Sequence, residues 1–254
     1  MRFTYAAYAE LLCKISKAGY TFADYHDHAG ASRPCILRHD VDFDMEKALA
    51  LARLEADAAR NGVGKIKSTY FVLMNTSFYN LFARENRKRM EELYALGHEI
   101  GLHFDEAQYD DCGDWALLCE HIEDERYALS KIAGQEITTV SMHRPSPNLL
   151  AQNLEIPNAI NTYSEEFLHG FKYFSDSRMH WREDVEGAVD AGSYERLHIL
   201  THAFWYENEE RDARAKLNDF VASACVERYD QLNGNLRDLN EFMTRQEVLS
   251  WTQR

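Results

Sequence analysis

Two hydrophobic periods take turns along the chain. Helical spacing over 4–18, with Tyr8, Leu11, Leu12 and Ile15 on one side, predicts an amphipathic helix. The polar stretch 21–33 reads as a loop holding two solvated histidines, His26 and His28. Cys35-Ile36-Leu37 reads as the end of a buried strand, and Met45 to about Arg60 as a helix with the C-cap signal Asn61-Gly62. Ile66 to Met74, rich in β-branched and aromatic residues, predicts a second strand. Arg84 to Leu96 predicts a charged helix closed by Gly97, and Glu99 to Phe104 a third strand. Trp115 to Ala133 reads as a long helix stopped by Gly134, and Ile137 to Met142 as a fourth strand running into Pro145. Shorter strands are expected near 158–163 and 171–175, a later one over Arg196 to Leu200, and charged helices over about 208–232 and 238–250. Strand and helix alternate throughout, which predicts a parallel sheet or a barrel.

One stretch breaks the pattern. Arg38-His39-Asp40-Val41-Asp42-Phe43-Asp44 joins the first long apolar run to the helix at Met45. Asp44 is placed to N-cap that helix. If strand geometry persists through the acids, Asp40 and Asp42 point to the same side. Two carboxylates there repel unless a cation or a shared proton lies between them. Three other strand ends also deliver polar residues: Gly97 to Asp105 with His103, His143-Arg144-Pro145, and His202. A single histidine on an apolar strand is ordinarily a satisfied core residue, but four such ends share one edge of the sheet. Carboxylate plus imidazoles is a ligand set suited to zinc or a similar divalent ion. His98 sits at the opposite end of its strand, roughly 16 Å from His103 at about 3.3 Å per residue, and reads as structural. His121, His169, His180 and His198 have no partner in sequence and read the same way.

Composition narrows the class. The 254 residues suffice for one large α/β domain, and no repeat, linker or low-complexity segment divides 1–254. Net charge is −14, so no basic face for nucleic acid is visible. Five cysteines, at 13, 35, 112, 119 and 225, form no CxxC pair, which argues against a disulfide framework or a thiolate zinc site. Met1 to Glu10 lacks the apolar core of a signal peptide, and no run is long enough to span a membrane. The expected address is the cytoplasm.

Gly97-His98-Glu99-Ile100-Gly101-Leu102-His103 resembles the second motif of the polysaccharide deacetylase superfamily, the NodB-homology or carbohydrate esterase family four fold. His39-Asp40-Val41-Asp42 resembles the first motif of a branch that carries HDVD in place of an adjacent Asp pair. Arg144-Pro145-Ser146-Pro147 is similar to the third motif, and Leu197 to His202 to the last; Asp176-Ser177 with Trp181 looks like a weak form of the fourth. The resemblance covers roughly 35–205 and leaves 206–254 as a helical C-terminal extension. It implies a distorted (β/α) barrel of about seven strands with a metal at the strand ends.

Carried over by position, the resemblance implies that Asp40 is the base that takes a proton from water. It implies that Asp42, displaced by one residue, and His103 bind the metal. Arg144 would hold the base in place, and His202 would protonate the leaving group. The family's second metal histidine falls at Ala107, which binds nothing. His143 is the candidate replacement, with Asp105 and His98 behind it. Asn161, Tyr163, Asp176, Arg178 and Trp205, in or beside the late loops, are candidates for binding a sugar through aromatic faces and a few polar groups. Trp181 and Tyr206 are balanced between pocket and core.

The activity the resemblance implies is metal-dependent hydrolysis, most simply with zinc, of an N-acetyl or N-formyl group on an amino sugar. With no export signal, a small soluble or nucleotide-linked sugar in cell-surface glycan assembly of the O-antigen type is the expected substrate. Two other classes stay open: an inactive carbohydrate-binding relic, and a metal hydrolase acting on a non-sugar amide or ester. The charged tail could cover the barrel or build a homo-oligomer.

Overall fold

The apolar runs do become strands, and all of them pair in parallel. The computed structural model describes residues 1–110 and 113–251. Cys112 lies outside the described residues; Cys13, Cys35, Cys119 and Cys225 are free. The chain divides into two compact units, Met1–Asn208 and one beginning at Glu209.

In the first unit the strands are β1 (Thr21–Ala23), β2 (Pro34–Val41), β3 (Ser68–Leu73), β4 (Glu99–Phe104), β5 (Thr139–Met142), β6 (Ile160–Asn161), β7 (Lys172–Ser175) and β8 (Leu197–Thr201). Seven of them follow the order β6-β5-β4-β3-β2-β8-β7, curled into an open, distorted barrel. The eighth, β1, pairs with residues 34–36 of β2, below the stretch where β3 takes over. The expected loop over 21–33 therefore contains a strand. His28 is also buried rather than solvated, with Nε2 2.9 Å from Glu166.

Helices α1 (Tyr5–Lys17), α2 (Met45–Ala58), α3 (Arg84–Ala95) and α4 (Trp115–Ala133) precede or cross between strands, followed by the short α5 (Pro147–Leu150), α6 (Glu165–His169) and α7 (Val185–Asp190). Asp44 caps α2, accepting from the backbone N–H groups of Glu46 and Lys47. Gly134 ends α4 in the left-handed conformation. The second unit holds α8 (Ala213–Asn235) and α9 (Arg245–Trp251), with Tyr229, Leu239 and Val248 as its core. No helix among the described residues is long and apolar enough to cross a membrane.

Alternation along β2 sorts its side chains between two environments. Ile36 packs with Tyr25, Phe71, Phe167 and Phe171 inside the curl. Arg38 and Asp40 follow on that same face. Gly101 of β4 faces this interior too: a Cβ there would stand 2.4 Å from Phe71 Cε1 and 3.0 Å from the Thr139 carbonyl oxygen. On the other face His39 meets α2, with Nε2 2.9 Å from Glu55 and Nδ1 2.6 Å from Thr201 Oγ1.

Glu55 is fully buried and is the hub of that outer layer. Its carboxylate accepts from Tyr8 of α1 (2.6 Å), Ser68 (2.6 Å) and Tyr70 (3.0 Å) of β3. Burial alone would raise its pKa, but the adjacent His39 and its hydrogen-bond donors hold it down at about 2. A carboxyl held below its ordinary 4.5 stabilises the fold above that pH, and the contribution is lost as pH falls toward 2. Glu55→Gln should therefore lower the unfolding free energy in urea by about 1.5–3 kcal/mol at neutral pH. The gap to wild type should close between pH 4.5 and 2; a gap constant across that window would contradict this account.

Candidate active site

The carboxyl ends of β2, β4, β5 and β8 converge. Tyr79 fixes the end of β2 by donating to the Val41 carbonyl (2.6 Å) and accepting from Leu73 N–H (2.8 Å). Asp42 follows directly. His143 lies one residue beyond β5, and its N–H extends the ladder to the Phe104 carbonyl at 2.7 Å.

Three donor atoms meet there. Asp42 Oδ1 is 3.4 Å from His103 Nε2 and 3.4 Å from His143 Nδ1, and the two ring nitrogens are 3.2 Å apart. Four-coordinate zinc, with bonds of about 2.0–2.1 Å, sets neighbouring donors about 3.3–3.4 Å apart. Asp42 Oδ1 is buried and has no hydrogen-bond partner among the described residues, a costly state for a carboxylate oxygen. A hydrogen bond between the two imidazoles would leave that oxygen unpaired, whereas a cation bound by all three satisfies each. Two imidazoles and a carboxylate also match zinc in donor type. The third donor atom of this triangle comes from His143 and not from the position of Ala107. Asp105 instead caps the turn after β4, accepting from Ala107 N–H (3.3 Å) and Gln108 Nε2 (3.0 Å). His98 is 2.8 Å from Ser68 Oγ, away from this end. Burial pushes the Asp42 carboxyl up, yet His103, His143 and His202 beside it hold it far below the usual carboxylate range.

A carboxylate and an imidazole flank the triangle. Asp40 Oδ2 is 3.5 Å from His103 Nε2. Its oxygens each accept a 2.8 Å hydrogen bond from one guanidinium, Arg38 Nε and Nη2. Burial raises the Asp40 carboxyl and Arg38 pulls it back, so the net shift is downward and the group stays ionised. On the far side His202 Nε2 is 3.9 Å from Asp42 Oδ2, and its Nδ1 is 2.6 Å from Asp176. Burial works against a proton on His202, but Asp176 outweighs it and lifts the pKa to about 9.

Three expected roles change. The guanidinium that grips Asp40 is Arg38, two residues away on the same face of β2, and not Arg144. Arg144, exposed and on left-handed backbone (φ 44°), lines the cavity, and among the described residues its side chain makes no hydrogen bond or ion pair with Asp40. Asp176 is fully buried, and its carboxylate is taken by His202 and by Tyr206 Oη (3.1 Å), so it orients the histidine instead of meeting substrate. Asn161 lies outside the cavity: it donates to the Leu154 carbonyl and accepts from Tyr163 N–H, so its amide holds a turn. Tyr206 is core, and Trp181 does not line the cavity.

The cavity over the triangle has a volume of about 800 Å³. Tyr163, Arg178 and Trp205 line it, joined by Phe43, Phe78 and Tyr173, which carried no assignment from sequence. Phe43 packs edge-on against Phe78 (5.1 Å) and Phe204 (5.0 Å), forming an aromatic wall. Arg38 was legible in principle, since i and i+2 share a strand face. The aromatic wall had no such signal.

No protein-family model matches the chain, and no curated protein matches it in sequence. Among solved structures, a Streptococcus pyogenes deacetylase, PplD, in complex with acetate is 13% identical with a TM-score of 0.41, over 78% of this chain and 81% of that one. A family 4 acetyl xylan esterase from Clostridium thermocellum, in complex with a cobalt ion, is 14% identical with a TM-score of 0.40, over 75% and 83%. The chitin deacetylase from the fungal pathogen Colletotrichum lindemuthianum is 15% identical with a TM-score of 0.37, over 74% and 80%.

The exchange of arginines has a measurable consequence. Arg38→Met strands the buried Asp40 carboxylate and should cost about 3–5 kcal/mol of stability in urea unfolding. Arg144→Met, at an exposed position, should cost less than about 1 kcal/mol. Equal losses for the two variants would contradict the assignment of Asp40's partner.

Proposed function

We propose that the chain is a metal-dependent hydrolase that removes an N-acyl group, acetyl or formyl, from an amino sugar. The observation that carries this reading is the donor triangle of Asp42, His103 and His143, set between a carboxylate held by one residue and an imidazole held by another, all open to one cavity. Asp42, His103 and His143 would hold a divalent cation, zinc by the donor set, which would supply Lewis acidity toward an acyl carbonyl and toward water. Asp40 takes a proton from the attacking water as general base. Arg38 keeps it ionised and fixes both of its oxygens, so the base is ready at neutral pH. Water adds to the acyl carbon and the C–N bond then breaks, giving a carboxylate and an amine. His202 delivers the proton that the departing nitrogen needs. Asp176 holds the imidazole in place through Nδ1, which leaves Nε2 directed at the site.

The aromatic side chains of Phe43, Phe78 and Trp205 that line the cavity support a sugar ring as the body of the substrate, since such rings offer flat apolar faces beside their hydroxyls. A small soluble or nucleotide-linked amino sugar of cell-surface glycan assembly is the substrate class we favour.

The test is metal content and amine release, read together. The purified chain should hold a stoichiometric divalent ion and liberate free amine from a panel of N-acetyl and N-formyl amino sugars. Asp40→Asn should keep the ion and lose about 10²-fold or more in kcat, while His103→Ala should lose the ion. Wild-type turnover by Asp40→Asn would remove Asp40 as the base; a chain with neither ion nor amine release would overturn the reading.

A further inference from the structure

The charged side chains around the cavity fall into two groups. Asp40 is gripped by Arg38, Asp42 lies among three imidazoles, and Asp105 is used up as a cap. Arg144 and Arg178 line the same cavity, but among the described residues neither guanidinium has a hydrogen-bond or ion-pair partner. They come from different strand ends, after β5 and after β7. Each stands on left-handed backbone, φ 44° at Arg144 and 61° at Arg178, a region that non-glycine residues rarely occupy.

Both loops are nevertheless anchored. Glu106 accepts from Ser146 N–H at 2.5 Å and from Ser146 Oγ at 3.3 Å, two residues past Arg144. Ser175 Oγ accepts from Ser177 N–H at 3.2 Å, and His180 N–H returns to the Asp176 carbonyl at 3.2 Å, on either side of Arg178. The fold thus anchors the backbone beside two exposed arginines that line its site, and among the described residues it gives neither guanidinium a partner. The chain as a whole carries a net charge of −14, so a general attraction for anions does not explain them.

We propose that Arg144 and Arg178 form an oxyanion subsite, and that the substrate is an N-acyl amino sugar bearing a phosphate or carboxylate group. This rests on the hydrolase reading above for the sugar, and on the arginines alone for the charge. A guanidinium presents paired N–H donors that match either oxyanion. The hydrolysed amide would lie over the donor triangle while the anionic substituent reaches the two arginines, so charge selects the substrate and Asp40 and His202 act on the amide.

Calorimetric titration of the zinc-loaded chain separates the possibilities. The probes are N-acetylglucosamine, its 1-phosphate, its uridine diphosphate ester and an N-acetylated aminouronic acid. At least one anionic probe should bind about tenfold or more tighter than the neutral sugar, with a preference that shrinks as salt rises. The phosphate and uronate arms identify the anion. Arg144→Ala and Arg178→Ala should each weaken the anionic probe about tenfold more than the neutral one, with bound zinc unchanged. Equal binding of neutral and charged probes overturns the inference. So does a preference that survives both substitutions, because the metal would then be its source. If no probe releases amine yet the arginine-dependent preference remains, the oxyanion subsite stands and the hydrolase reading falls. If neutral and charged probes release amine equally well in wild type and variants, the reverse holds.

Discussion

Three charged residues on one face of one strand path, Arg38, Asp40 and Asp42, cannot be buried without partners. Strand alternation forces them to the inside of the curl together. Arg38 and Asp40 solve the problem between themselves with two 2.8 Å hydrogen bonds. Asp42 is left over, and the chain brings it two imidazoles from β4 and the end of β5 instead of a second guanidinium. Imidazoles at that spacing satisfy a carboxylate best through a shared cation. The site's chemistry follows from how this one strand distributes its charge.

The other face of the same strand serves stability. His39 and Glu55 join α1, α2, β2, β3 and β8 in one buried polar network. That network holds β2 against its helix while the inner face holds the site. The positions of Asp40 and Asp42 are therefore set from behind, by groups that never touch the cavity. Tyr79 adds a third restraint by tying the ends of β2 and β3 together.

Much of this was legible in the residues. Glu99–Phe104 and Trp115–Ala133 form the elements their patterns predict, because each carries one unbroken period with a glycine before or after it. Asp42, His103 and His143 meet because parallel strands deliver their carboxyl ends to one edge. What escaped was tertiary. The strand at Thr21–Ala23 is too short to show a period and exists only because β2 offers an edge. Asp176 and Asn161 have the composition of sugar-binding residues, but burial turned each to a structural hydrogen bond. Arg144 was placed by motif, and the motif could not reveal that Arg38 already occupied its partner.

The proposed role of Asp42, His103 and His143 is to hold one divalent ion. Anomalous diffraction from crystals grown with zinc, recorded on both sides of the zinc edge, tests it directly. A single strong peak is expected within about 2.0–2.2 Å of a carboxylate oxygen of Asp42 and one nitrogen of each histidine. Zinc bound elsewhere, or a triangle that stays closed by a bond between its two imidazoles with no peak between them, would contradict it.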